Sequence, residues 1–321
     1  MGTGTTFRRT TVTSPAFAPA RLSVGIISAG RVGTALGAAL EAADHVVGSV
    51  VARSQASRAR AARRLPESQL LDARTVAARS ELLLISVPDD QLVAVIADLA
   101  ASGAVRPGTI VAHTAGAHGI TVLAPLTDLG VIPLALHPAM TFVDTDDDVL
   151  RLRSACFGVT AADEVGYAIG SSLVIEMGGE PVRVREEART LYHAALAHGA
   201  NHLVTLICDS VAALRIALVG QEIPDEARYS AAPSDHLADG LAQRLLAPLV
   251  TAALRNALEL GPRALTGPVA RGDAAAVARH LQALLDADPP LAQNYQAMSL
   301  RAASYTDAPA DLIDVLKGDL S

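Results

Sequence analysis

The stretch that decides the fold is VGIISAGRVGTALG, residues 24–37. An apolar run typical of a β-strand leads into a turn of small residues, and a helical pattern begins near Arg31. Gly30 and Gly33 stand where the phosphate-binding pattern G-x-G-x-x-G has its second and third glycines, and Ser28 replaces the first. We expect Ser28 to be tolerated there with a negative φ. The stretch predicts the turn of a dinucleotide-binding domain.

A strand–turn–helix of this kind holds a pyrophosphate against backbone N–H groups at the positive end of the helix dipole. The alternative is a glycine turn that serves packing alone. The place of the turn at the start of an α/β region favours the nucleotide. The residues expected to contact the cofactor are Ser28, Ala29, Gly30, Arg31, Val32 and Gly33.

The end of the next predicted strand selects the dinucleotide. NAD sites usually carry Asp or Glu here for the ribose hydroxyls, whereas this chain has Arg53 and Ser54. Because an arginine and a serine suit a 2′-phosphate, NADP(H) is the predicted cofactor. The arginines within residues 58–64 are expected to form only a solvated helix face.

Strand-like and helical runs alternate along the first half of the chain, and the alternation stops near residue 186. This pattern predicts an α/β Rossmann fold, a doubly wound parallel sheet, followed by an all-α C-terminal domain. The predicted bounds are a disordered leader at 1–20, a Rossmann NADP-binding domain at 21–160, a connecting segment at 161–185, and a helical substrate and dimerisation domain at 186–321. The connecting segment is expected to hold one more helix and one more strand.

Composition narrows the class of protein. The chain has 321 residues, 50% of them hydrophobic, which is enough for two domains with cores. Only Cys156 and Cys208 are present, and no long apolar run lacks a charge, so we expect a cytoplasmic protein without a disulfide framework or membrane span. A net charge of −7 without a basic tract argues against a nucleic-acid partner. The apolar residues 201–220 are expected to form a buried helix.

Three further predicted strands end in polar or turn-forming residues. Ligands of parallel sheets bind beyond the carboxyl ends of the strands, so these ends predict a cleft. The alternative is that they are strand stops only. The candidate contacts are Val87, Pro88 and Asp89 for the cofactor, and Thr114, Gly116 and His137 for the substrate.

The long helical pattern LYHAALAHGANH, residues 191–202, carries the candidate catalytic residues. His193 and Asn201 lie on one stripe of the helix, and we expect one of them to face the nicotinamide, although buried, hydrogen-bonded side chains are the alternative. His198 and His202 also pair at i, i+4 spacing, but no carboxylate or cysteine motif completes a metal site. We therefore expect no metal.

Two remaining observations concern the substrate and the proton. Arg271 precedes a helix predicted to be capped by Asp273, and it is a candidate clamp for a substrate carboxylate; an ordinary helix-entry turn is the alternative. The only lysine is Lys317, near the C-terminus. Proton transfer must therefore fall to His, Tyr, Asp, Glu or water.

The ordered motifs SAGRVG, VPDD, HTAG, HPAMTF, LYHAALAHGANH and LTGPVARGD together resemble the Rossmann-like proteins with a DUF2520 domain. That family is similar in architecture to 6-phosphogluconate dehydrogenase, ketopantoate reductase and pyrroline-carboxylate reductase. Some members resemble an alternative class of ketopantoate reductase in pantothenate synthesis. The resemblance implies NADPH-dependent reduction of a small 2-keto acid. The lysine that ketopantoate reductases carry on the long helix has no counterpart, and His193 lies in the comparable region.

The leading hypothesis is an NADPH-dependent reductase of a small 2-keto acid, with ketopantoate as first guess. In this scheme His193 donates the proton and Asn201 orients the carbonyl. One alternative is an imine or pyrroline reductase, and another is a non-catalytic NADP-binding sensor or partner protein. The apolar helices of the second domain also predict a homodimer.

Overall fold

The computed structural model describes residues 21–218 and 240–320. The chain divides into two compact units, residues 1–197 and residues 198–321. The leader predicted at residues 1–20 lies outside the described residues.

The first unit is built on one eight-stranded sheet. In chain order its strands are β1 (Ser23–Ile27), β2 (Val46–Val51), β3 (Gln69–Leu70), β4 (Leu82–Ile85), β5 (Ile110–His113), β6 (Ile132–Pro138), β7 (Cys156–Ala161) and β8 (Glu180–Arg183). Their spatial order is β3-β2-β1-β4-β5-β6-β7-β8, so the direction of winding reverses between β1 and β4. The predicted doubly wound sheet is confirmed.

Strand β7 departs from the predicted parallel arrangement. It pairs antiparallel to β6, whereas the other neighbouring strands pair in parallel. A strand that is covered on both faces is apolar in either direction, so its sequence does not reveal its orientation.

Helices cover both faces of this sheet. They are α1 (Arg31–Ala42), α2 (Gln55–Arg64), α3 (Ala73–Arg79), α4 (Asp89–Ser102), α5 (Ala124–Thr127), α6 (Asp147–Leu152) and α7 (Glu164–Glu176). One core includes Ile26, Leu36, Leu84, Leu136 and Phe157. A second includes Leu83, Ile85, Ile96, Val111 and Leu123. Successive residues of β4 contribute to different cores because side chains alternate between the faces of a strand.

Residues 161–185 belong to the sheet unit and do not connect two domains as predicted. They contain α7 and β8, and β8 pairs with β7. Leu173 and Val174 of α7 are buried in the sheet core. The unit extends to residue 197, so the boundary predicted at 186 is also corrected. A helix and strand that complete a sheet resemble a connector in sequence, and only strand pairing distinguishes the two.

The second unit is helical throughout its described residues, as predicted. Helix α8 (Arg189–Ala217) begins in the first unit and continues into the second. The helices that follow are α9 (Leu241–Leu260), α10 (Ala274–Ala287), α11 (Pro289–Ala303) and α12 (Ala310–Lys317). A small core holds Val277, Leu281, Ala303, Leu312 and Leu316.

Helix α8 is not the buried helix that the sequence predicts. Arg189 is its one buried residue. Among the described helices, the segment 186–217 is the one long and apolar enough to cross a membrane, by length and composition only, a test that core helices of soluble proteins also pass. Hydropathy reports what a helix can bury, whereas actual burial depends on what packs against it.

The arginines of α2 bind an acidic loop. Arg60 and Arg63 contact the Asp144 carboxylate at 2.8 and 2.7 Å. Arg64 is nearly buried and lies 3.6 Å from the fully buried carboxylate of Asp148. The solvated face predicted for this helix is therefore wrong at the buried Arg64, whereas Arg63 is exposed although it is paired. Asp144 lies in the loop after β6 and Asp148 lies in α6, both far along the chain, so a local pattern does not show these contacts.

Candidate functional site

The turn after β1 opens the candidate site. Ser28 has a φ of +86°, in the left-handed region that favours glycine. The expectation of a negative φ at Ser28 is therefore wrong. The next residue, Ala29, is buried and donates its N–H to the Val51 carbonyl at 2.8 Å, which ties the turn to β2. The tertiary bond fixes the turn in a conformation that a serine would otherwise avoid.

The two glycines of the turn have different roles. A Cβ on Gly33 would lie 2.5 Å from the Ser28 carbonyl and 3.1 Å from the Ser86 Cβ, so Gly33 is required for packing. A Cβ on Gly30 would meet no described atom nearer than 3.7 Å. Gly30 is also the N-cap of α1, whose first turn has no acidic residue and no side-chain cap. Uncapped N–H groups beside a residue without a side chain fit a pyrophosphate.

The end of β2 carries the residues predicted to bind a 2′-phosphate. Ser54 caps α2, since the Ser57 N–H donates to its Oγ at 3.1 Å and its own N–H donates to the Ser57 Oγ at 3.0 Å. The Ser54 hydroxyl is thus engaged in a capping box. Arg53 is exposed at the same sheet edge. Its role toward a phosphate stays a prediction.

The ends of β4 and β5 adjoin. Thr114 Oγ1 lies 3.4 Å from Ser86 Oγ. Pro88 is the N-cap of α4, and Asp89 is in the first turn of that helix, where an acidic side chain complements the helix dipole. Pro88 and Asp89 are exposed, and Val87 is half-buried. These residues lie at the carboxyl edge of the sheet, as the sequence predicts.

Three residues predicted to line the cleft meet at this edge. A Cβ on Gly116 would lie 2.6 Å from His193 Cδ2 and 2.8 Å from His137 Nε2. The two imidazole rings are in edge contact, with centroids 5.6 Å apart. Gly116 is therefore needed for the approach of both rings. The structure brings together the end of β5, strand β6 and the start of α8.

Tyr192 is a member of this cluster that the sequence analysis missed. Its hydroxyl lies 3.0 Å from His137 Nδ1, and its ring is perpendicular to the imidazole at a centroid distance of 5.6 Å. The available signal was its position directly before His193, because a half-buried tyrosine needs a partner for its hydroxyl.

Burial keeps two histidines neutral at pH 7. Burial, helped by the neighbouring His193, Arg189 and His113, lowers the pKa of His137 to about 4. Burial also lowers the pKa of His113 to about 4. His113 Nε2 bonds to the Gly119 carbonyl at 2.8 Å and its Nδ1 accepts the Ala115 N–H at 3.2 Å, so both its nitrogens hold the β5 turn.

A buried arginine lies beside the cluster. Arg189 donates to the Thr160 hydroxyl at 2.7 Å and to the carbonyls of Ala135 and Gly158 at 2.9 and 3.0 Å. Burial lowers its pKa to about 10, so the guanidinium remains charged at pH 7. Within the described residues its Nη1 has no hydrogen-bond partner. The site therefore contains a buried positive charge, and one N–H donor group of that charge makes no hydrogen bond to the described residues.

Two predicted site residues lie in the second unit. Asn201 is exposed, and its backbone carbonyl accepts the Thr205 hydroxyl at 3.2 Å. Arg271 is exposed and donates to the Thr266 carbonyl at 2.7 Å. The predicted cap is present, since the Asp273 carboxylate accepts a first-turn N–H of α10 at 2.9 Å. The roles of Asn201 and Arg271 toward a substrate stay predictions.

The second histidine pair of α8 makes its own contact. His198 and His202 have their Nδ1 atoms 2.7 Å apart. Across residues 21–218 and 240–320, no group of three or more His, Cys, Asp or Glu side chains is arranged to hold a metal ion.

Several solved structures share this fold. A candidate NADP oxidoreductase from Bacteroides fragilis is 20% identical with a TM-score of 0.67, over 88% of this chain and 98% of its own. A protein from Thermotoga maritima is 17% identical with a TM-score of 0.61, over 88% and 98%. A reductive aminase from Aspergillus terreus, in complex with NADPH4, cyclohexanone and allyl amine, is 16% identical with a TM-score of 0.57, over 93% and 100%. No curated protein matches the chain.

Two family models divide the chain between them. The Rossmann-like domain matches residues 9–138, and the domain of unknown function DUF2520 matches residues 155–302. The first match contains the turn and the strand ends, and the second contains β7, β8 and most of the helices that follow. The chain is therefore a Rossmann-like protein with a DUF2520 domain.

Proposed function

We propose that this protein is an NADP(H)-dependent reductase of a small molecule that carries a C=O or C=N bond. The observation that carries the proposal is that the uncapped N-terminus of α1 at Gly30 and a pair of imidazoles, His137 and His193, share the carboxyl edge of one mostly parallel sheet. In such sheets the crevice at this edge is the usual site of dinucleotide chemistry.

The preference for NADP(H) rests on the end of β2. The exposed Arg53 stands where an acidic residue would select NAD, and a charged hydrogen bond to a 2′-phosphate contributes about 1.5–3 kcal/mol, or at least about tenfold in affinity. Arg53→Ala should weaken NADPH binding by about tenfold and change NADH binding little. Arg74→Ala, at an exposed position of α3, is the control. The chain has no tryptophan, so NADPH fluorescence reports binding against a low background.

The first candidate substrate is a small 2-keto acid, with ketopantoate as the first guess. It follows from the motifs that resemble the ketopantoate reductase class. In this scheme His193 donates the proton, Thr114 and Gly116 or Arg271 hold the carboxylate, and Asn201 orients the carbonyl. An imine or pyrroline is the second candidate, favoured by the shared fold of the Aspergillus terreus reductive aminase.

The test is NADPH oxidation against a panel of small 2-keto acids and cyclic imines. Turnover confined to the keto acids supports the first candidate, and turnover confined to the imines supports the second. If NADPH binds and no compound is reduced, the result supports a non-catalytic NADP-binding sensor or partner protein. If NADPH neither binds nor raises the melting temperature, the dinucleotide proposal fails.

We also propose that the protein is a cytoplasmic homodimer. Helix α9 exposes large apolar side chains that water disfavours, with Leu249 66% and Leu258 80% exposed. Cys156 and Cys208 are both outside disulfides, as in a reducing compartment. Sedimentation at micromolar concentration should give a dimer, and the Leu249→Glu, Leu258→Glu double variant should sediment as a monomer. A monomeric wild-type protein would overturn the dimer.

A further inference from the structure

We propose that the proton of the reduction reaches the substrate through a two-residue relay, from the Tyr192 hydroxyl through the His137 imidazole, and that Arg189 stabilises the phenolate left behind. This inference rests on the proposed reductase function. It assigns the proton donor to His137 instead of His193, and it gives Tyr192 a role that acts through His137.

The His137 ring connects two sides of the site. On one side its Nδ1 lies 3.0 Å from the Tyr192 hydroxyl. On the other side its Nε2 is the ring atom nearest Gly116, 2.8 Å from where a Cβ would stand. Because residue 116 has no side chain, Nε2 and the His193 ring both approach the Gly116 backbone closely. The Tyr192 hydroxyl and Gly116, a predicted substrate contact, thus lie at opposite nitrogens of one imidazole.

The protonation state of His137 requires the second member of the relay. Burial lowers its pKa to about 4, so the ring is neutral at pH 7 and carries one proton. A neutral imidazole that released its Nε2 proton alone would become an imidazolate, which is far too basic to form here. If Nδ1 takes the Tyr192 proton in the same step, the ring stays neutral throughout. The donor at Nε2 therefore works only with Tyr192 at Nδ1.

The surroundings of Tyr192 raise the pKa of its hydroxyl on balance, and a nearby positive charge offsets part of that rise. Burial raises the pKa of its hydroxyl, whereas the Arg189 charge and a hydrogen bond from the Gly158 backbone amide lower it, and Cys156 raises it. The Arg189 guanidinium carbon lies 5.7 Å from the centre of the Tyr192 ring. A phenolate at this place is opposed by burial and favoured by a fixed cation.

Arg189 is available for this task because no carboxylate among the described residues neutralises it directly. The nearby Glu186 accepts the backbone N–H groups of residues 120 and 121 at 2.7 and 3.1 Å. Arg189 itself bonds to a hydroxyl and to carbonyls, which are neutral. A buried, unpaired cation is costly, and the cost is reduced when a neighbour becomes negative. In the transition state Tyr192 is the neighbour that becomes negative, and in the resting state it is neutral.

The reduced cofactor, when bound, supplies a hydride, and with it both electrons, to the substrate carbon. The oxygen or nitrogen of the C=O or C=N bond takes the Nε2 proton of His137, and the Tyr192 O–H proton moves to Nδ1. The bonds broken at the protein are N–H and O–H. The site is reset when water returns a proton to Nε2 and the Nδ1 proton moves back to the Tyr192 phenolate. The net change is addition of one hydride and one proton.

Tyr192→Phe tests the relay because it removes the hydroxyl and keeps the ring. We expect kcat to fall about 100-fold, in the range of lost acid catalysis, with the Kd of NADPH unchanged. Tyr167→Phe is the matched control in the same unit, since its ring stacks on Arg183 with 3.8 Å between guanidinium carbon and ring centre, and it should keep wild-type kcat. His193→Ala should lower kcat less than Tyr192→Phe.

A second readout does not depend on a variant. If two protons move in the same step, wild-type kcat should depend on the D2O fraction along a curve and not a straight line. A straight dependence overturns the relay, and so does a Tyr192→Phe enzyme within about twofold of wild type. A larger loss in His193→Ala than in Tyr192→Phe returns the donor role to His193. In these cases the wild type still reduces its substrate, so the reductase proposal stands. A wild type that binds NADPH and reduces no panel compound refutes both proposals.

Discussion

Replacing Ser28 tests the turn on which the cofactor proposal depends. A φ of +86° costs a residue with a Cβ about 1–2 kcal/mol relative to glycine. Glycine in turn loses about 0.4–1 kcal/mol through the greater freedom of the unfolded chain. The difference predicts that Ser28→Gly is about 1 kcal/mol more stable than Ser28→Ala, because alanine keeps the Cβ and serves as the matched control.

The assay is denaturant unfolding of the full chain, followed by the melting temperature. For a unit of this size, about 1 kcal/mol corresponds to about 2–4 °C. Ser28→Gly should also retain NADPH binding, since it restores the missing glycine of the pattern. If Ser28→Gly is no more stable than Ser28→Ala, residue 28 does not hold the left-handed conformation, and the account of the turn is wrong.

Three further predictions concern packing, charge and pH. Gly33→Ala should destabilise the protein by about 1–3 kcal/mol through overpacking, whereas Gly30→Ala should leave unfolding almost unchanged and weaken NADPH binding measured by fluorescence. Asp148→Ala should lower the free energy of unfolding in urea by about 3 kcal/mol, because it leaves the buried charge of Arg64 without this partner. Asp147→Ala, at the exposed neighbouring position, should change it by no more than about 0.5 kcal/mol. Burial lowers the pKa of His113 from 6.5 to about 4. Between these two values the unfolded chain binds a proton that the folded chain does not bind, so the free energy of unfolding falls as pH drops from 6.5 to about 4. His113→Gln should remove one proton from this dependence, and an unchanged slope would contradict the buried neutral ring.

Much of the site was accessible from the sequence because its members follow strands. A parallel sheet brings the carboxyl ends of its strands to one edge, so the strand pattern alone predicts that Gly116 and His137 lie close together. Tyr192 could not be placed in this way, because its partner His137 is 55 positions away and nothing local marks the contact. Arg189 looked like an ordinary helix-start residue, and its burial under β6 and β7 appears only when those strands pair.

The sequence by itself determined the Rossmann-like sheet, the helical second unit and the place of the phosphate turn. These follow from hydrophobic periodicity and glycine spacing, which are local properties of the chain. Only the tertiary structure decided that Ser28 adopts a left-handed φ, that β7 runs antiparallel, that the arginines of α2 bind an acidic loop and that Tyr192 meets His137. Each depends on a partner far along the chain, and the free energy of such a contact exists only once folding brings the partners together.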